Sequence, residues 1–435
     1  MTDLFVHITW WQWVMIGVLA AIVLFYIYYY TRYLAGVQRR VRHQLHHRFR
    51  WKETEPTSLN LSEPFSTSLT PSQPQPQAAT PGVSVVVCAR NESYNLRHYL
   101  HALAGQRYPE FEVIVVNDGS QDDTQTVLDH YSKLFRNLRL TFVPGDAWVR
   151  SSKKLALTLA AKAAKYDYLL LTDADCRPES PNWISEMMQG FRNPDTEVVI
   201  GYGGYFDEPT AINRLVRYDT VMNAMTYLGF AMSRHPYMGV GRNLAYRKDT
   251  FFRHHGFAGT LGQRAGDDDL FVNKIATSLN TEVVITPDSF TWSIPKHTYA
   301  EWRMQRYRHL SVSPSYRLTT KLRLTAEPVI RALLYLLVIA AIVLAALGIA
   351  GPVNPAEPIG TQLLSNPLWV IAMASLCVYL FRLVWLTLLV NRAARIFRTH
   401  TFSAFHVLAY DIFLPLFNLA MLIRHAFRRK REQQW

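Results

Sequence analysis

Three long apolar runs limit this chain more than any other feature. Trp10–Tyr30 is uninterrupted by charge and long enough to cross a hydrocarbon core of about 30 Å as a helix. Trp10, Trp11 and Trp13 mark one end and Tyr26, Tyr28, Tyr29 and Tyr30 the other, the places where interfacial aromatic belts belong. The segment before it carries Asp3 rather than a basic start, and bulky tyrosines close it, so it reads as a retained anchor and not a cleaved signal. Two further spans are expected over about 329–349 and 368–390. Arg382 inside the second is costly unless it snorkels or pairs within the bundle. Residues 403–423 are apolar but broken by His406, Asp411, Pro415 and Asn418. They read as a re-entrant or interfacial helix, with a fourth span as the rival.

Charge supports the same picture. The chain has 435 residues and a formal net charge of +13. Residues 32–52 carry net +7 and residues 391–435 net +6, while 53–390 carry only +1. Basic residues confined to the flanks of apolar runs argue for cytoplasmic positive flanks and against a nucleic-acid surface. The chain after the first span, including its soluble part, is therefore expected on the cytoplasmic side of an integral membrane protein. Cys88, Cys176 and Cys377 lack metal-site or redox spacing and read as buried thiols.

The resulting division is 1–31, an N-terminal transmembrane helix; 32–81, a basic flank and a Ser/Thr/Pro/Gln-rich flexible linker (53–81); 82–298, a catalytic domain; and 299–327, an interfacial region. Two transmembrane helices follow over 328–390, and an interfacial or re-entrant helix with a basic cytosolic tail over 391–435. Residues 209–235 and 299–324 mix apolar with basic positions and also suit helices at the inner interface, or ordinary amphipathic helices packed on the sheet.

From residue 82 the pattern alternates. Val83–Ala89, Glu112–Asn117, Arg139–Val143 and Tyr168–Thr172 read as buried strands, with helices at Asn95–Ala104, Asp122–Leu134 and Lys153–Lys165. This order predicts an α/β domain with a doubly wound parallel sheet, whose ligands bind beyond the carboxyl ends of the strands. Polar residues stand at those ends: Arg90-Asn91-Glu92, Asn117-Asp118-Gly119-Ser120 and Asp173-Ala174-Asp175. Asp118 suits a base or ribose. Asp173 and Asp175, two apart on extended backbone, face the same way and can share one hard divalent cation, Mg2+ or Mn2+, that neutralises a diphosphate. Neither a G-x-G-x-x-G fingerprint nor a P-loop is present, which removes support for hydride transfer and P-loop hydrolysis. Gly201-Tyr202-Gly203-Gly204 marks a bend or a close backbone approach. Asp267-Asp268-Asp269 opens a helix; capping uses one or two carboxylates, and a third among like charges has a raised pKa tendency suited to a general base.

In order, these motifs resemble the family 2 glycosyltransferases with a GT-A fold, a nucleotide-sugar-binding Rossmann-like architecture. The resemblance is to the membrane-integrated branch of hyaluronan, chitin and cellulose synthases and ceramide glucosyltransferase, and covers roughly 82–312. Val83–Val87 with Arg90-Asn91-Glu92 is similar to the opening strand and turn, and Asn117-Asp118-Gly119-Ser120 with Asp123 and Thr124 to the nucleotide-binding segment. Lys153 falls at the family's lysine, Asp173-Ala174-Asp175 at the metal motif and Gly266-Asp267-Asp268 at the [ED]-D motif. Gln305-Arg306-Tyr307-Arg308-His309 matches Q-x-x-R-W except that His309 replaces Trp. The resemblance implies Asp268, with Asp267, as the catalytic pair and Asp268 as base. It implies Arg90, Glu92, Asp118, Lys153, Asp173 and Asp269 as substrate-binding positions, and Gln305 and Arg308 on the diphosphate. It also implies Gly241, Arg242 and Asn243 on the acceptor side and His309 at the acceptor border. An inverting, metal-dependent transfer from a cytosolic nucleotide sugar, a UDP-sugar first, to a membrane-associated lipid or glycan acceptor is the expectation. Three clear spans offer little surface for a polymer channel, which favours a lipid acceptor unless an oligomer or partner subunit supplies more. An inactive nucleotide-sugar-binding scaffold and a transporter are the rivals; intact acidic stations disfavour the first and the near absence of charge within the spans the second.

Overall fold

The structure, a computed structural model, describes residues 10–38, 80–144, 152–263, 265–346 and 367–432. Almost all of the expected linker, most of the basic flank and the loop between the two later spans lie outside these residues. Two compact units emerge: Val37–Phe206 with Phe230–Pro295, and Met1–Gly36 with Asp207–Gly229 and Lys296–Trp435.

The first unit holds the sheet. Its strands are β1 Val83–Ala89, β2 Phe111–Asn117, β3 Leu138–Phe142, β4 Tyr168–Asp173, β5 Cys176–Pro178, β6 Val198–Ile200, β7 Gly203–Tyr205, β8 Leu244–Arg247, β9 Thr281–Val283 and β10 Thr291–Ser293. Seven of them form one sheet in the order β3-β2-β1-β4-β8-β6-β9, and β5-β10-β7 form a second. The valine run of β1 is buried on both faces, as a central parallel strand requires. Leu96, Leu100 and Leu103 on one connecting helix and Val127 and Leu128 on the next complete the core against it.

β1 through β4 pair in parallel, in agreement with the alternating pattern. The expectation of an all-parallel sheet needs correction: β8 runs antiparallel to both β4 and β6, so the sheet is mixed. A strand of four residues has no periodicity from which direction could be read. The chain builds outward from β1 to β3 and then returns to β4, so the β1/β4 boundary is a topological switch point with a crevice at the strand ends. The glycine cluster is a place of close approach. A Cβ at Gly201 would lie 2.5 Å from the Asn243 amide and one at Gly204 2.6 Å from the Trp292 ring.

The second unit is helical. Among the described residues, four segments are long and apolar enough to cross a membrane: Trp13–Leu34, Leu318–Val343, Trp369–Ile396 and Ala404–Phe427. The last lies in one unbroken helix, Ala404–Glu432, despite Pro415, so its length and composition allow the crossing read as the rival. Arg382 is 1% exposed and finds partners, as its position demands. Its guanidinium donates to both oxygens of Asp411 (2.7 and 3.0 Å) and to Glu327 (3.0 Å). Arg331 bridges the same two carboxylates, and the Tyr335 hydroxyl donates to Asp411 at 2.6 Å.

The helix Ala211–Met232 does not fit the interfacial reading of 209–235. Val216, Tyr218, Val221 and Met225 are buried, and so is Arg217, which donates to Asn213 and Thr399 and pairs with Asp207. Its basic side chains are spent inside the unit, whereas an interfacial helix keeps a solvated polar face. The helix Tyr299–Val312 starts with a capping box between Thr298 and Glu301. Trp302 anchors it by stacking on Phe417.

Candidate active site

At the switch point, register brings the polar strand ends together. Asp173 at the end of β4 lies beside Cys88 of β1, and Asn117 of β2 beside Ala89. The loop after β1 turns at Asn91, whose φ of +56° places it in the left-handed region that asparagine tolerates. There Asn91 accepts from the Gln121 N–H and donates its own N–H to Ser120 Oγ, clamping the first two strand ends. Asp118 is buried, with Arg90 4.0 Å away, and Glu92 accepts from the Asn95 amide at 2.5 Å.

The acidic residues converge on one ammonium. Lys153, near the start of the helix Ser152–Ala163, reaches Asp173 at 2.9 Å and Asp267 at 3.0 Å. Burial lowers the Lys153 pKa, but Asp173, Asp267 and Asp268 outweigh it and hold the side chain charged. Burial pushes Asp267 up, yet Lys153 more than offsets this and keeps it ionised below the usual carboxylate range. Asp268 goes the other way: burial first, then the neighbouring Asp267, raise it to about 6. Its Oδ2 accepts the Gly241 N–H at 2.7 Å and its Oδ1 the Asp269 N–H at 2.8 Å. Asp268 therefore caps the helix Asp269–Ile275 and still has the pKa of a usable base. Cap and base are compatible readings.

Asp173, Asp175 and Cys176 present ligand atoms within 4.8 Å of one another. The two carboxylates are hard oxygen donors that fit Mg2+ or Mn2+. The Cys176 thiol is pushed well up by burial and by Asp175 and Asp173, so it adds no thiolate to that set. Ser293 donates to Asp175 Oδ2 at 2.8 Å and fixes its direction. Burial and Asp173 raise Asp175, a like-charge pairing that a cation would relieve.

Arg242 lies over the Tyr205 ring at 4.2 Å and donates to the Gly204 carbonyl. Its own carbonyl accepts from Thr172 and Thr291, which places the loop 239–243 against β4 and β10. Asn243 needs correction as an acceptor-side contact. It is fully buried, its amide donates to the carbonyls of Tyr202 and Ser289, and its oxygen accepts from the Trp183 indole. Every polar atom of the side chain is thus engaged, the amide with backbone and the oxygen with an indole. Asp269, also buried, turns Oδ1 onto the Leu270 N–H, a helix-start role rather than an open substrate contact. Gln305, Arg308 and His309 lie on the helix Tyr299–Val312 of the other unit; there Arg308 and His309 are exposed, and Arg306 pairs with Asp219 at 3.1 Å.

The sequence reading missed Lys154, fully buried beside Lys153, and Trp183, which orients Asn243. Two adjacent lysines at a helix start were the available signal for the first; nothing local marked the second.

Comparison with known proteins agrees with this geometry. Residues 84–261 match the Glycosyl transferase family 2 domain. The poly-beta-1,6-N-acetyl-D-glucosamine synthase of Staphylococcus epidermidis is 31% identical over 141 residues, 32% of each chain. The hyaluronan synthase of Pasteurella multocida is 30% identical over 31% of this chain and 13% of that one. The probable glycosyltransferase YdaM of Bacillus subtilis is 25% identical over 52% and 54%. Each match thus covers about half of the relative's length or less. Among solved structures, the mannosyltransferase PcManGT from Pyrobaculum calidifontis in complex with GDP-Man and Mn2+ aligns over 94% of this chain and 99% of that one. Its TM-score is 0.46 and its identity 19%, a likeness too distant to carry an argument. The strand order, the acidic crevice and the sequence match converge: residues 84–261 form a glycosyl transferase family 2 domain, with the GT-A fold.

Proposed function

We propose that this protein transfers a sugar, with inversion, from a nucleotide sugar to an acceptor hydroxyl at the membrane. The observation that carries the reading is Asp268: a half-buried carboxylate oriented by two backbone N–H groups, adjoining the acidic crevice, and raised to about 6 by loss of water and by Asp267. Such a group is ionised at neutral pH yet basic enough to accept a proton. Asp268 takes the proton of the acceptor hydroxyl as that oxygen attacks the anomeric carbon, and the bond to the nucleoside diphosphate breaks on the opposite face. One displacement inverts the carbon, so an α-linked donor gives a β-glycoside.

Asp118 and the clamped loop at Asn91 receive the nucleoside. Lys153 keeps Asp267 ionised, and that fixed charge holds Asp268 proton-hungry. Asp173 and Asp175 would hold Mg2+ or Mn2+, which supplies positive charge where the diphosphate departs. Arg308 and Gln305 are the candidates for gripping diphosphate oxygens. With the catalytic unit on the cytosolic side, the donor is a cytosolic UDP-sugar in the first instance.

A lipid is the first acceptor to test. A growing glycan is the second, favoured by relatives whose names are those of polysaccharide synthases and by a fourth helix long enough to cross, which enlarges the surface available around a polymer. Purified protein incubated with UDP- and GDP-sugars plus a membrane lipid extract, with and without chelator, tests all of this by mass analysis. Glycolipid product supports the first acceptor and a ladder of polymer the second. No transfer with any sugar would sink the assignment, and full turnover in excess chelator would remove the cation.

A further inference from the structure

Lys154 follows Lys153 in the chain and points elsewhere. It is 0% exposed, and its ammonium donates to three backbone carbonyls: Thr260 at 2.7 Å, Gln263 at 3.0 Å and Ala265 at 2.9 Å. An ammonium has three donors and no acceptor, and here all three are used. The three carbonyls stand close together in sequence, more than a hundred residues along the chain from Lys154.

That segment leads directly into the acid pair. Ala265 is followed by Gly266, whose φ of +87° suits glycine, and a Cβ there would meet Leu270 at 2.5 Å. Asp267 and Asp268 come next. Consecutive residues on one helix thus divide their work: Lys153 reaches the Asp267 carboxylate, and Lys154 ties down the backbone immediately before it.

Dehydration lowers the Lys154 pKa, with Asp267, Asp269 and Asp268 opposing it. Stability alone gives weak reason to bury a charge here, because an apolar residue avoids that cost if the carbonyls turn to water. Three converging carbonyls that bind an ammonium instead acquire one fixed arrangement.

We infer that Lys154 is the positioning residue for the Asp267–Asp268 pair, pinning the backbone at Thr260, Gln263 and Ala265 so that Asp268 meets the Gly241 N–H and the reacting hydroxyl in one geometry. This rests on the reading of Asp268 as the base.

The test uses full-length protein carrying Lys154→Met, which keeps the stem and removes all three donors, and Lys154→Gln, which retains two. Hydrogen–deuterium exchange reports the segment without reference to activity, and steady-state transfer reports the chemistry. Lys154→Met should lose protection over 258–270 while β1 and β4 keep theirs. Its kcat should fall about a hundredfold, the cost of an ångström-scale misplacement, with the KM for the nucleotide sugar within about threefold. Lys154→Gln should lie between wild type and Lys154→Met in both readouts. Unchanged exchange over 258–270, or wild-type kcat, overturns the inference, as does loss of protection across the whole sheet in both variants. If the wild type transfers no sugar, the assignment of the base has failed, and the exchange result then reports separately whether Lys154 pins the segment.

Discussion

The two charged clusters of this molecule are built on opposite principles. Among the apolar helices, Arg331 and Arg382 face Glu327 and Asp411, two charges against two, and each carboxylate oxygen accepts at least one donor. At the crevice, Asp173, Asp267 and Asp268 gather around Lys153, three carboxylates on one ammonium, and Asp175 adds a fourth beside Asp173. The first cluster is closed and neutral, which is what a charge far from water requires. The second is open and in acidic excess. Burial first, and then that excess, pushes Asp175 and Asp268 up, which suits a cation and a proton. Balanced charge holds these helices together; unbalanced charge prepares the sheet for chemistry.

Removing a charge from each cluster should therefore have opposite consequences. Asp268→Asn is expected to lower transfer by about three orders of magnitude, within the range a lost general base costs, while nucleotide binding survives. Near pH 7 the removal of a disfavoured charge offsets the loss of one of the two oxygens that accept backbone N–H groups, so the variant should stay close to wild type in stability. Unchanged turnover would remove Asp268 as the base, and a large fall in melting temperature would assign it a structural role instead. In the helical cluster the damage should appear in folding. Asp411→Asn leaves two guanidinium groups against one carboxylate, and breaking a buried pair in this way costs about 3–5 kcal/mol. Replacing Arg382 and Asp411 together by Met and Leu leaves Glu327 paired with Arg331 and should restore much of that loss. A double variant as unstable as the single one would contradict the balance argument.

Next in size is a pH effect confined to the open cluster. As the proposed base, Asp268 would act as a carboxylate, so kcat should be full above its pKa and fall as the pH drops through about 6. Lys153 lowers that value and Asp267 raises it. Lys153→Met should move the acidic limb to higher pH and Asp267→Asn should move it lower. Limbs shifting together in the same direction would break the electrostatic account of the site.

The sequence was most legible where signals are local. β1 to β4 and their helices were recognisable to within about two residues because β1, β2 and β4 are largely apolar runs ending in polar turns; β3, with Arg139 and Thr141, is an edge strand and not the buried one expected. The same contrast marked Asp118, Asp173 and Asp175, and it showed that Arg382 needed partners. Its partners were not legible, since Glu327 and Asp411 lie 55 and 29 residues away on other helices. Strands β5 to β10, of three or four residues, are too short for a period. Asn243 was placed on the acceptor side by resemblance alone, whereas three groups distant in sequence hold it buried. Adjacency also hid the division of labour between Lys153 and Lys154, which only tertiary partners reveal.

The smallest expected effect concerns the one motif position that departs from the family pattern. His309 stands where the resemblance to the Q-x-x-R-W motif implies tryptophan, and it is exposed on the helix Tyr299–Val312. Imidazole offers less stacking area than indole but adds a hydrogen-bonding nitrogen. If this position borders the acceptor, His309→Trp should shift the preference among acceptors by only a few-fold, the scale of about 1 kcal/mol for one altered aromatic contact. Hydrolysis of the nucleotide sugar without acceptor should stay the same, because neither Asp268 nor the crevice at Asp173 and Asp175 has changed. Equal changes in transfer and hydrolysis would place the residue on the donor side, and would mean that the acidic cluster is not alone in setting the rate of the chemical step.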